Sequence, residues 1–130
     1  MKKKILIVVG GYYKDIGVEL IKNTKRYLRS KSINNFKKIE VPGVFEIPVT
    51  IAKNIKFYDG FIALGCVIKG DTPHFDFISS STTQAIMNLS VTSKKPIGNG
   101  IITCLNMKQA KVRSKKGKEA ALAVISVLSQ

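Results

Sequence analysis

Residues 63–68 (Ala-Leu-Gly-Cys-Val-Ile) run without one polar side chain, preceded by Gly60 and closed by Lys69-Gly70. A run this short and this apolar fits a strand buried on both faces of a parallel sheet. Such a strand needs a layer of helices on each side. The rest of the chain supplies them. Residues 4–9 read as a first strand, and Phe36–Val41 alternates polar and apolar like a strand nearer an edge. Residues 97–105 form the last strand. Between them, residues 15–31 repeat Ile16, Leu20, Thr24, Tyr27 and Leu28 at helical spacing with lysines opposite. A short helix opens at Ile47-Pro48-Val49 after the Pro42-Gly43 break, another spans 72–89, and residues 107–129 form a helical end. Alternating strands and helices predict an α/β fold, a three-layer αβα sandwich around a four-stranded parallel sheet with the central strand at 60–68. Ligands of such sheets sit beyond the carboxyl ends of the strands, so the loops after Val9, Val41, Ile68 and Thr103 are expected along one edge.

Length and composition bound the reading. With 130 residues and 45% hydrophobic content, one domain spanning residues 1–130 is expected. No apolar run approaches the roughly 20 residues that cross a bilayer. The lysines at positions 2–4 resemble the start of a signal peptide, but the apolar run 5–9 is too short to continue one, so a cytoplasmic protein is expected. Cys66 and Cys104 lie in apolar runs without neighbours at metal-ligand spacing, which reads as buried thiols and no metal site.

Lys and Arg number 22 against 8 Asp and Glu, a net charge of +14. Nucleic acid is one reading of such a balance. Only Arg26, Arg29 and Arg113 are arginine, the residue best suited to bidentate phosphate and base contacts, so base readout is disfavoured. The cluster Lys108, Lys111, Arg113, Lys115, Lys116 and Lys118 is dense enough to suggest an anionic ligand instead.

The chemistry concentrates after the central strand, in Lys69-Gly70-Asp71-Thr72-Pro73-His74. Thr72 fits a helix N-cap and Pro73 the first helical position, where a missing N–H costs nothing. His74, the only histidine, then falls in the first turn, beside backbone N–H groups able to hold an anion and unfavourable to a protonated imidazole. A neutral imidazole there can accept and return protons.

Four segments, in order, resemble the 6,7-dimethyl-8-ribityllumazine synthase family: Val41-Pro42-Gly43-Val44-Phe45-Glu46-Ile47-Pro48, residues 64–76, Lys95-Pro96-Ile97, and Gln109-Ala110 with Arg113, Lys116-Gly117 and Glu119-Ala120-Ala121. The resemblance implies a flavodoxin-like fold and a transferase that needs no metal or redox cofactor. It condenses 5-amino-6-(D-ribitylamino)uracil with 3,4-dihydroxy-2-butanone 4-phosphate in riboflavin synthesis. It makes His74 the proton-transfer residue and Gly70, Asp71 and Thr72 the phosphate turn, with Arg113 of a neighbouring subunit as the phosphate's guanidinium partner. Glu46 and the Gly43-Val44 backbone would hold the ribityl chain. The backbone of Val67 and Ile68 would pair with the pyrimidine edge, Tyr12 would stack on it, and Lys116 and Glu119 would lie close by. Asn99 stands where the family has an aromatic ring from the adjacent subunit. Tyr12-Tyr13 stands for an aromatic followed by asparagine, and Gly11 for a common arginine. The segment between Arg113 and Lys116 and the N-terminal arm are shorter than usual, which with the high charge favours a homo-oligomer of five chains over larger shells. A non-catalytic relative that binds flavin or lumazine is the alternative reading, favoured by Asn99.

Overall fold

The computed structural model describes residues 2–71 and 74–130. Strands β1 (Ile5–Gly10), β2 (Phe36–Val41), β3 (Gly60–Ile68) and β4 (Ile97–Cys104) form one sheet in the order β2-β1-β3-β4. All three pairings are parallel. The helices are α1 (Lys14–Ser30), α2 (Ile47–Asn54), α3 (Phe75–Ser93), α4 (Met107–Arg113) and α5 (Lys116–Leu128), with a 3-10 turn at Val44–Glu46 just before α2. This is the expected three-layer α/β, flavodoxin-like arrangement.

Alternation within the buried strands builds two cores. Ile5, Ile7 and Val9 of β1, with Ile62, Leu64, Cys66 and Ile68 of β3, pack with Ile16, Leu20 and Leu28 of α1, Ala110 of α4 and Ala120, Ala121 and Val124 of α5. On the opposite face Leu6, Val8, Phe61, Ala63 and Val67 meet Val44, Ile47 and Ile51 around α2 and Ile86 of α3. Every residue of β1 and β3 is buried, whereas β2, on the sheet edge, exposes Lys37, Lys38 and Glu40. The apolar run and the alternating run thus occupy the interior and edge positions that their patterns demand.

Several boundaries differ from the sequence reading. Helix α3 begins at Phe75, and His74 occupies its N-cap with the non-helical dihedrals φ −112° and ψ 31°. Its carbonyl accepts the first bond of the helix, from the Ile78 N–H at 2.8 Å, so His74 precedes the first turn rather than lying inside it. The capping roles expected of Thr72 and Pro73 fall outside the described residues. At its far end α3 runs on to Ser93, where Lys94 adopts the left-handed conformation at φ 59° ahead of Pro96. The final helical stretch breaks between Arg113 and Lys116, with Ser114 buried at the joint. Among the described residues, no helix is long and apolar enough to cross a membrane.

Candidate active site

Parallel pairing brings the carboxyl ends of all four strands to one edge, and the candidate residues line two of the molecule's cavities. The first, of about 250 Å³, is lined by Tyr12 and Tyr13 after β1, Gly43, Val44 and Phe45 after β2, Cys66, Val67 and Asp71 at the end of β3, and Ile78 of α3. Its floor depends on Gly65, because a Cβ there would stand 2.5 Å from Cγ1 of Val44. The missing side chain lets Val44 settle directly on the central strand. Val67 faces this cavity, while the next residue, Ile68, points through the sheet into the core beneath α1 and α5.

Local hydrogen bonds fix the rim. A carboxylate oxygen of Glu46 accepts the Gly43 N–H at 2.9 Å, and the Glu46 N–H donates to the Gly43 carbonyl at 3.2 Å. This reciprocal pair holds the 3-10 turn and the Gly43-Val44 backbone in place. Tyr12 and Tyr13 meet edge to face, with ring centroids 4.8 Å apart. The Tyr13 hydroxyl donates to a carboxylate oxygen of Asp71 at 3.2 Å. Burial, then the hydrogen bond and charge of Asp71, push the Tyr13 phenol up to about 12. Burial also pushes the Cys66 thiol up to about 12, reinforced by Cys104. Both cysteines are free and buried, as their apolar runs predict.

The turn after β3 leads from this cavity to the histidine. Lys69 N–H donates to the Cys104 carbonyl at 2.8 Å and Asp71 N–H to the Ile68 carbonyl at 3.2 Å, so the turn is tied to the ends of both β3 and β4. Gly70 takes φ +91°, a conformation that L side chains rarely adopt, which accounts for glycine at the corner. His74 is exposed at the head of α3, one turn before the cavity-lining Ile78.

The second cavity, of about 430 Å³, lies along β4. Ile101, Ile102 and Thr103 line it with Val112 and Arg113 of α4, Lys115 of the joint, and Lys116 and Glu119 of α5. A guanidinium nitrogen of Arg113 donates to the Thr103 carbonyl at 2.6 Å. Three cationic side chains against one carboxylate make this wall suited to an anion. Asn99 is exposed on β4, and its side-chain oxygen accepts the Ile101 N–H at 3.0 Å. That N–H points outward from the sheet edge, a donor that needs a partner.

A family model for 6,7-dimethyl-8-ribityllumazine synthase matches residues 2–130. The chain belongs to this family. Relatives named 6,7-dimethyl-8-ribityllumazine synthase include one from Bartonella bacilliformis, 40% identical over 135 residues that cover 95% of this chain and 88% of the relative. Another from Bartonella tribocorum is 39% identical over 98% of this chain and 92% of its own. One from Agrobacterium fabrum is 38% identical over 98% and 93%.

Against the lumazine synthase pattern, the candidate residues divide between the cavities. Tyr12, Gly43, Val44, Val67 and Asp71 line the first, with Glu46 bonded to its rim. Arg113, Lys116 and Glu119 line the second, and Asn99 lies two residues before Ile101 of the same wall. No described residue lines both. Thr72 lies outside the described residues. Reading the sequence missed Ile78 and Phe45 as wall residues and assigned Tyr13 no partner. Ile78 carried a usable signal, since it stands one helical turn beyond His74.

Proposed function

We propose that this protein is a lumazine synthase, a transferase that condenses 5-amino-6-(D-ribitylamino)uracil with 3,4-dihydroxy-2-butanone 4-phosphate. The products are 6,7-dimethyl-8-ribityllumazine, inorganic phosphate and water, as part of riboflavin biosynthesis. The family match from residue 2 to residue 130 carries this reading. The pyrimidine stacks on Tyr12 in the first cavity, with Val67 and Ile68 offering backbone groups to its edge. Gly43, Val44 and Glu46 hold the ribityl chain. The amine attacks the ketone to form an imine, phosphate departs and the ring closes, and His74 moves the protons from its place at the head of α3. Gly70, Asp71 and Thr72 seat the phosphate together with Arg113, while Lys116 and Glu119 close the pyrimidine side.

Because the two groups of residues belong to different cavities, a complete site needs the second cavity of another copy beside the first cavity of this one. Large apolar side chains exposed at both cavities support such a junction: Tyr12 is 71% and Phe45 58% exposed at the first, Leu105 61% and Val112 67% at or beside the second. The assembly is a homo-oligomer, a ring of five, with Asn99 facing the neighbour's pyrimidine. Buried free thiols at Cys66 and Cys104 suit a reducing cytoplasm.

The deciding experiment is incubation with both substrates while lumazine fluorescence is followed. Fluorescence that requires both substrates and scales with protein supports the reading. Its absence, in a protein that still binds lumazine, would favour the non-catalytic alternative.

A further inference from the structure

The hydrogen bond between Tyr13 and Asp71 spans 58 residues of sequence and joins the loop after β1 to the turn after β3. Its two ends are held very differently. Tyr13 is half-buried against the core beneath α1; its carbonyl accepts the Gly17 N–H at 3.0 Å, and its ring packs on Tyr12. Asp71 is exposed and stands three residues before His74, its backbone attached to the strand by one bond to Ile68. Tyr13 is therefore the fixed partner, and the carboxylate is the group being held.

The location gives that restraint a chemical purpose. A carboxylate at the mouth of a turn that seats a phosphate repels the ligand, and the repulsion depends on where its charge rests. Turned toward Tyr13, the carboxylate instead lines the wall of the first cavity beside Val67 and Cys66. The donor is a neutral phenol, so it orders the carboxylate without adding a charge of its own. With its pKa near 12, the phenol keeps its proton throughout the physiological range and never ceases to donate.

We propose that Tyr13 is a positioning residue that holds the Asp71 carboxylate against the pyrimidine cavity, so that the turn after β3 meets the ketone substrate's phosphate with that negative charge turned away. The proposal rests on the lumazine synthase reading, and it concerns the phosphate half of the site alone.

The test is a cycle of Tyr13→Phe and Tyr13→Phe/Asp71→Asn, each checked by thermal melting and assayed with both substrates. Phenylalanine keeps the ring and its packing on Tyr12 but releases the carboxylate. The KM for the butanone phosphate is expected to rise about tenfold, the scale of one hydrogen bond to a charged group, and several times more than the KM for the pyrimidine. Removing the charge in the double variant should bring the phosphate KM back toward the parent value. Equal rises in both KM values, no rise, or no recovery in the double variant would overturn the proposal. Titration with inorganic phosphate reads the same seat without turnover. If the parent protein forms no lumazine, the functional reading fails, and the phosphate titration decides about Tyr13. Weakening by Tyr13→Phe with recovery in the double variant upholds its role; any other pattern, including a parent that binds no phosphate, refutes it.

Discussion

The guanidinium of Arg113 is bonded to the main-chain carbonyl of Thr103 at 2.6 Å, so a side chain from the end of α4 is pinned to the end of β4. The bond uses one of the five N–H donors of an arginine and leaves the others to face the second cavity. Replacing Arg113 by alanine is expected to raise the KM for the butanone phosphate by roughly 10- to 100-fold, the range for losing charge-assisted hydrogen bonds. Lysine should restore only part of this, because one ammonium cannot serve both Thr103 and a phosphate. Steady-state kinetics with each substrate varied in turn separates the effects, and an unchanged phosphate KM would make Arg113 a structural residue.

If Arg113 completes the site of another copy, the weakened His74→Ala and Arg113→Ala subunits should complement each other when assayed at low butanone phosphate. Refolding the two together would yield some junctions that carry both intact residues. Activity well above the sum of the separate variants is expected. No gain in oligomers shown to be mixed would place both residues in one chain's site.

His74→Ala alone should lower kcat while leaving pyrimidine binding nearly unchanged, since the exposed imidazole stands at the head of α3 and not among the described walls of the first cavity. Positioned acid–base groups contribute about 10² to 10⁴-fold, and the reactivity of an amine toward a ketone places the expected loss at the low end. Rapid-quench or single-turnover measurement locates the loss in the chemical step. A variant with full kcat would remove His74 from proton transfer.

Asn99 has two claims upon it. If position 99 faces another copy's pyrimidine as proposed, an aromatic ring there would add a stacking face worth about 0.5–1.5 kcal/mol. The asparagine, however, covers the outward Ile101 N–H at 3.0 Å, and phenylalanine would leave that donor to water. Asn99→Phe is therefore expected to tighten pyrimidine binding and to cost about 0.5–1 kcal/mol of stability, a fall in Tm of a few degrees. Calorimetry and thermal melting on the same sample read both. Weaker binding in a folded variant would remove position 99 from the pyrimidine site.

The Cys66 thiol, raised from 9.0 to about 12 by burial, should resist alkylation in the folded protein. The folded protein should therefore hold far less Cys66 thiolate at pH 8 than an ordinary cysteine would. Labelling by iodoacetamide is expected only on unfolding in urea. Above pH 9 the unfolded chain gives up this proton while the folded chain keeps it until about 12, so stability should fall as pH rises through that window. Rapid labelling of Cys66 in native buffer would contradict the assigned burial.

What the sequence discloses depends on whether the physics is local. The apolar run of β3 and the alternation of β2 report their own burial, because a strand buried on two faces and a strand at an edge need different side chains at successive positions. The break at Ser114-Lys115 has no glycine or proline to announce it, and it follows from α4 and α5 packing separately against β4. The beginning of α3 was equally hidden, since Thr72-Pro73 suits a helix start but His74 keeps non-helical dihedrals. The division of the candidate residues between two cavities was legible only through the resemblance, which gives Arg113 and position 99 to a neighbouring subunit but leaves Lys116 and Glu119 unassigned. That division depends on strand order, which places β4 outermost, and no spacing along the chain records it. The Tyr13–Asp71 bond is hidden for the same reason: it exists only once β1 and β3 are neighbours.

Two cavities with no described lining residue in common also restrict the symmetry of any contact that joins them. Such a contact is head to tail, because the surface carrying Tyr12 and Phe45 meets the one carrying Arg113 and Val112 rather than its own duplicate. A two-fold pair cannot complete a site in this way without forming both junctions at once. An open row of n copies would hold n − 1 complete junctions and leave one half-site bare at each end, whereas a closed circle leaves none. On the proposed reading, an assembly without bare ends is thus the condition under which every copy contributes to turnover, and dilution that opens it should lower activity per chain before it removes any chain's fold.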